Sequence, residues 1–234
     1  MGVAIDSGMS ASYTAPVPCI FANIPPIRNV RNDAVQCSGP HLYEGRSNVV
    51  FTATLDADVL YQTWVRVLLL EASRYGLYRP TWSQAILDEV RNALATSRPQ
   101  LHPDQVDRAI KRIRLAAPGA VIAGYESLVP SMKNNLKDRH VLAVAVHAGA
   151  ETIVTWNRKH FPSEACDEYD IQVQDPDEFL TTLWDQRPAA MSSVLQHSAD
   201  SLGCGTVSDF LQQLKRLPRL TSMALGSGSD RGTQ

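Results

Sequence analysis

The sequence predicts an α/β protein, a three-layer sandwich around a central, mostly parallel sheet, followed by a C-terminal helical hairpin. Three observations carry this. Between residues 50 and 187 short apolar, β-branched runs alternate with stretches of helical spacing, the pattern of strand–helix–strand units. Asp56 and Asn157 stand directly behind two of the apolar runs, where open parallel sheets bind their ligands. Beyond Pro188 the strand signals stop and helical spacing continues.

Residues 49–55 form the first predicted strand, ending at Asp56. Residues 59–74 have helical spacing through Val59, Leu60, Val67 and Leu68 and are stopped by Gly76. Amphipathic helices are expected over 83–94 and 104–115, and a fourth over 136–148, closed by Gly149 as a C-terminal cap. Strands follow at 151–156 and 171–174, then a helix over 175–184 whose opening acids suit its dipole. The hairpin is expected from stretches 191–198 and 207–217.

The 234 residues therefore divide into 1–49, 50–187, 188–226 and 227–234. The first segment is rich in Pro, Ser, Asn and Gly without a period of 2 or 3.6, and it and the last eight residues are expected to be disordered. Composition is ordinary for a globular chain, with 44% apolar and 20% charged residues and a net charge of −2. That balance excludes a chain that coats DNA by bulk positive charge. Cys19, Cys37, Cys166 and Cys204 make no CxxC pair, so neither a zinc knuckle nor a dense disulfide scaffold is indicated. The longest apolar run, residues 141–146, is far short of the roughly 20 residues that cross a bilayer. No Lys or Arg precedes Arg28, so a signal-peptide pattern is missing. A cytoplasmic protein without a membrane partner is expected.

Four polar residues are candidates for chemistry. Asp56 and Asn157 end strands, although such residues also form turns. At about 100° per residue, Ile86, Leu87, Val90, Ala93 and Leu94 fill one arc of their helix. Glu89 lies just outside it and Asp88 nearly opposite. Glu89 thus needs a partner, which an Arg could equally supply. Asp138 falls inside the apolar arc of its helix, while His140 and His147 point away and read as surface residues; Asp138 would also serve as an N-cap. Three carboxylates and an amide at one sheet mouth make a hard-oxygen set suited to Mg²⁺ or Mn²⁺. Patterns for a nucleophile elbow, a Walker loop or a dinucleotide site are absent.

Taken in order, Phe-Thr-Ala-Thr-Leu-Asp-Ala-Asp-Val-Leu-Tyr (51–61), Ile-Leu-Asp-Glu-Val (86–90), Lys-Asp-Arg-His-Val-Leu-Ala (137–143) and Val-Thr-Trp-Asn-Arg-Lys-His-Phe-Pro (154–162) resemble the motifs of PIN-domain ribonucleases. The resemblance is closest to the VapC-type toxins of toxin–antitoxin systems and covers residues 50–187. It implies a PIN-like sandwich in which Asp56, Glu89 and Asp138 bind Mg²⁺, with Mn²⁺ able to substitute. It also implies that Asn157 completes the catalytic set. The family often has Asp at that last position. Asn157 removes one charge, which argues against a tight second metal, and Asp58 is a candidate secondary ligand. The implied reaction is endoribonucleolytic hydrolysis leaving 5′-phosphate and 3′-hydroxyl ends.

The implied partners are a cognate antitoxin, an RNA substrate (ribosomal or transfer RNA) and a second copy of the chain in a homodimer. Candidate RNA contacts are Lys133, Lys137, Arg139, Arg158 and Lys159, with the helix bearing Arg108, Lys111, Arg112 and Arg114 as a second basic face. Residues 50–187 carry 15 basic and 18 acidic residues, so binding must use a local basic rim. Selection of a folded RNA by shape fits that better than non-specific coating. Two other readings are a PIN-like interaction module without activity and a haloacid-dehalogenase-type phosphohydrolase with Asp56 as nucleophile. Because Val50 sits where relatives begin with Met, residues 1–49 are expected to be absent from the natural product. An N-terminal mass starting at Met1 would refute this.

Overall fold

The computed structural model describes residues 50–226; the expectations for 1–49 and 227–234 lie outside them. Within these residues the sheet has five strands, β1 (Thr52–Leu55), β2 (Arg79–Ser83), β3 (Val121–Ile122), β4 (Thr152–Val154) and β5 (Gln172–Gln174). Their order is β3-β2-β1-β4-β5, and every pairing is parallel. Parallel strands need covering on both faces. The helices α1 (Ala57–Tyr61), α2 (Thr63–Arg74), α3 (Gln84–Ser97), α4 (Pro103–Ala116), α5 (Arg139–Ala148), α6 (Ser163–Cys166) and α7 (Pro176–Gln186) connect and flank them. α5 packs on β1, β2, β3 and β4, α2 and α3 on β2, and α7 on β5. The predicted fold class is the one observed.

Several elements differ in detail from the expectation. The single helix read over 59–74 is two, because Gln62 takes extended backbone angles (φ −81°, ψ 111°). β2 and β3 carry no strand signal. β2 reads Arg-Pro-Thr-Trp-Ser, and a proline argues against a central strand. The position escapes that rule by its register. Arg79 N donates to Phe51 O on the β1 side, whereas Trp82 N donates to Ala120 O on the β3 side. Alternation turns the nitrogen of Pro80 toward β3, which pairs only from Trp82 onward. No ladder bond is lost. Gly149 closes α5 with φ 60°, as its cap role requires.

Among the described residues three helices, not two, run from Pro188 onward: α8 (Pro188–Ser201), α9 (Val207–Gln213) and α10 (Pro218–Gly226). They are not a detached hairpin. Met191, Val194, Leu195, Phe210, Leu211, Leu217 and Leu220 are buried in the same apolar cluster as Leu55, Leu68, Trp82 and Phe179. α8 packs on α2, and α10 on α7. Among the described residues no helix is long and apolar enough to cross a membrane.

Candidate active site at the sheet switch point

β1 leads toward β2 on one side, while β4 returns to its other side, so the strand order reverses between β1 and β4. Crevices at such reversals, beyond the carboxyl ends of the strands, are where open α/β sheets bind ligands. Asp56 follows β1 there, and Thr155, Trp156 and Asn157 follow β4.

Asp56 is 3% exposed. Its Oδ1 accepts from Ala57 N at 2.6 Å, which opens α1, and its Oδ2 accepts from Thr155 Oγ1 at 2.7 Å. One half-turn on, Asp58 Oδ2 accepts from Trp156 N at 3.0 Å and lies 3.2 Å from Thr155 Oγ1. Its Oδ1 is buried with no hydrogen-bond partner. Asn157 N donates to Thr155 Oγ1 at 3.0 Å. Thr155 therefore ties both acids to the strand end that carries Asn157. Burial, with Asp138 and Glu89 adding repulsion, pushes Asp56 up to about 6 against the pull of its hydrogen bonds. Burial and the neighbouring Asp56 push Asp58 up to about 7, opposed by its bonds to Trp156 and Thr155 and by the Arg216 charge.

The charges of Glu89 and Asp138 both act on Asp56, but each also meets a histidine. Glu89 Oε1 is 3.3 Å from His140 Nε2, and Asp138 Oδ2 is 2.8 Å from His160 Nδ1. The partner beside Glu89 is His140 rather than the arginine that could equally have served. His140 is not the surface residue that helical spacing indicated; its side chain is 16% exposed. Burial pulls its imidazole down, but the bond to Glu89 and the charges of Glu89 and Asp56 outweigh that and leave it raised. α5 begins only at Arg139, after a 3₁₀ turn at Leu136–Asp138, which shifts Asp138 but not His140 relative to residues 141–148. A 3₁₀ turn advances about 120° per residue rather than 100°. Residues 141–145 are moreover all buried, so no single apolar arc exists. Asp138 occupies the N-cap position of α5 without a capping bond. His147 is exposed, as read from the sequence.

The oxygen donors suit a hard cation. Among the described residues no three His, Cys, Asp or Glu side chains stand, as placed, close enough together to hold a metal ion. The set fits a cation of the Mg²⁺ type, which keeps several waters and is bound through one or two carboxylates. The buried, unpartnered Asp58 Oδ1 and the raised pair Asp56 and Asp58 are where positive charge would be most stabilising.

Of the five lysines and arginines expected around the acids, two already pair with carboxylates. Lys133 Nζ is 2.7 Å from Glu168, and Arg158 Nη1 is 2.9 Å from Glu178. Arg139 Nε reaches Asn134 O at 3.5 Å, while Lys137 and Lys159 are exposed. Sequence reasoning missed Thr155, His160 and Arg216. Thr155 had a signal in its place two residues before Asn157. Arg216 had none, since it comes from the far end of the chain.

Residues 52–159 match the family model described as PIN domain. Over 78 residues the chain is 45% identical to "Putative ribonuclease VapC50" of Mycobacterium tuberculosis (strain ATCC 25618 / H37Rv). That alignment covers 33% of this chain and 46% of the relative, about half its length. The resemblance to the ribonuclease relative thus holds for a third of the chain. No solved structure matches the chain.

Proposed function

We propose that the chain is a Mg²⁺-dependent endoribonuclease that hydrolyses phosphodiester bonds in a structured RNA and acts in the cytoplasm as the toxin of a type II toxin–antitoxin pair. The observation that carries this is the acid pair Asp56 and Asp58 at the switch point, raised by burial and, for Asp56, by the charges of Asp138 and Glu89. Asp56, Glu89 and Asp138 would hold the cation, with Asp58 Oδ1 and the Asn157 amide oxygen as further hard donors. A divalent cation so bound lowers the pKa of a water and neutralises phosphate charge.

The protein's own side chains do the positioning. Thr155 fixes the carboxylates of Asp56 and Asp58 through its hydroxyl. His140 and His160 hold Glu89 and Asp138 from the outer side. Such preorganisation supplies much of the rate in phosphoryl transfer. Lys137, Arg139 and Lys159 would meet RNA directly, whereas Lys133 and Arg158 would first have to leave Glu168 and Glu178. Residues 50–187 form the nuclease domain in this reading and residues 188–226 an accessory helical unit sharing its core. The mycobacterial relative's name as a ribonuclease supports the activity. A cognate antitoxin and self-association follow from the VapC resemblance.

Wild type and Asp138→Ala, compared on total RNA with Mg²⁺ and with EDTA, test this. The wild type should cut only with Mg²⁺, leaving 5′-phosphate ends, and Asp138→Ala should lose at least about 10²-fold, a typical cost of removing one charge-stabilising group. Cleavage by Asp138→Ala at the wild-type rate would refute the assignment.

A further inference from the structure

The C-terminal helices deliver an arginine to the acids. Between α9 and α10 the chain turns through residues 214–217, with Leu214 and Leu217 buried and Lys215 and Arg216 exposed. The turn is fixed at both ends. Leu214 N donates to Leu211 O and Leu217 N to Leu214 O. Phe210 packs against Trp64 with ring centroids 5.9 Å apart, and Asp177 holds the start of α10. Arg216 therefore extends from a set backbone.

Its guanidinium lies 3.8 Å from the centroid of the Trp156 ring. With the Gln62 amide turned to satisfy its neighbours, the Gln62 oxygen accepts from Arg216 Nη1 at 2.7 Å and from Trp156 Nε1 at 3.0 Å. Trp156 is the residue whose backbone N–H holds Asp58. Among the described residues no carboxylate lies within ion-pair distance of Arg216. One residue before Gln62 the motif repeats: Arg98 sits over the Tyr61 ring at 5.6 Å. Behind it the buried Arg66 donates to Leu60 O and Tyr61 O. A row thus leads away from Asp58, with Arg216 on Trp156, then Gln62, then Arg98 on Tyr61.

Guanidinium groups stacked on aromatic rings keep their edge N–H donors open in a flat fork, which matches a phosphate. Cations alternating with aromatic rings are also how proteins follow a single nucleic-acid strand. We propose that Arg216 and Arg98, each stacked on an aromatic ring, bind RNA backbone phosphates flanking the one cut at the acids, which makes the C-terminal extension part of the substrate site. RNA is the favoured occupant because the row begins at the acids and its repeat suits a repeating polyanion. The proposal rests on the ribonuclease reading. It adds residues outside the part of the chain that matches the PIN domain or, for Arg98, outside its acidic motifs.

The test is fluorescence anisotropy of a fluorescein-labelled 12-nucleotide single-stranded RNA with the full chain, in EDTA so that turnover does not intervene. Arg216→Ala should weaken binding about tenfold and Arg98→Ala about fivefold, each lowering the salt slope of log Kd by about 0.7, the single-strand value per phosphate. Arg216→Lys should keep the slope while losing part of the affinity, and Lys215→Ala should match wild type. A merely structural role would not move the slope, and if Arg216→Ala unfolds, Arg98→Ala and Arg216→Lys decide. Wild-type affinity and slope in both alanine variants would overturn the proposal, as expected if the row served a protein partner, and would leave the ribonuclease reading standing. A wild-type chain that does not bind the RNA overturns both.

Discussion

Burial opposes the ionisation of both Asp56 and Asp58. Burial raises Asp56 to about 6 and Asp58 to about 7, from about 3.9 in an unfolded chain. Between those values the folded chain keeps protons that the unfolded chain has released, so stability is greater at low pH and falls as pH rises through about 4 to 7. For Asp56 the shift corresponds to about 3 kcal/mol. A divalent cation that binds the deprotonated pair reverses this, and protons compete with it. The metal-free protein should therefore melt lower at pH 7.5 than at pH 5, by of order 5 °C for a chain of this size. Millimolar Mn²⁺ should raise the melting point more at pH 7.5 than at pH 5. Differential scanning fluorimetry reads both effects, and an equal Mn²⁺ shift at the two pH values would remove the case for these acids as ligands.

At the scale of elements, the junction of α7 with α10 is a defined linkage rather than loose packing. Asp177 is buried, and its two carboxylate oxygens accept from Arg219 N and Leu220 N at 3.0 Å each. A carboxylate on one helix so satisfies the free amides that open another. Asp177→Ala should cost about 1–3 kcal/mol, the range for leaving buried donors unsatisfied. It should also speed proteolysis beyond Arg216, whereas Asp177→Asn should restore part of the loss. Unchanged urea unfolding in Asp177→Ala would show that apolar contacts alone seat α10. Such linkages were invisible in the sequence, since residues 177 and 219 are joined only by the fold. What could be read was local. Strand-ending Asp56, the Gly149 cap and the acidic opening of α7 each announce themselves within a few residues. β2 could not be read because Pro80 is acceptable only through its register against a late-starting β3. His140 was misplaced because residues 141–145 of α5 are all buried, which leaves no single apolar arc to set it against.

Across the whole molecule, one apolar cluster runs from the sheet through α8, α9 and α10, so the segment that sequence spacing presents as an appendage is part of the core. The same arrangement brings Arg216 beside Trp156 and Asp58, far from them in sequence. The acids themselves were all named by sequence motifs; their histidine and threonine supports, and the arginine row, required the fold. The central claim is that the acids at the β1/β4 reversal act through a divalent cation on RNA. Its most direct test is the rate at which wild type and the near-isosteric Asp56→Asn fragment total RNA in Mg²⁺ and in EDTA. The account predicts cleavage by wild type in Mg²⁺ alone and a loss of at least about 10³-fold in Asp56→Asn, as for a preorganised charge in a buried site. Cleavage in EDTA, or by Asp56→Asn at the wild-type rate, would contradict it.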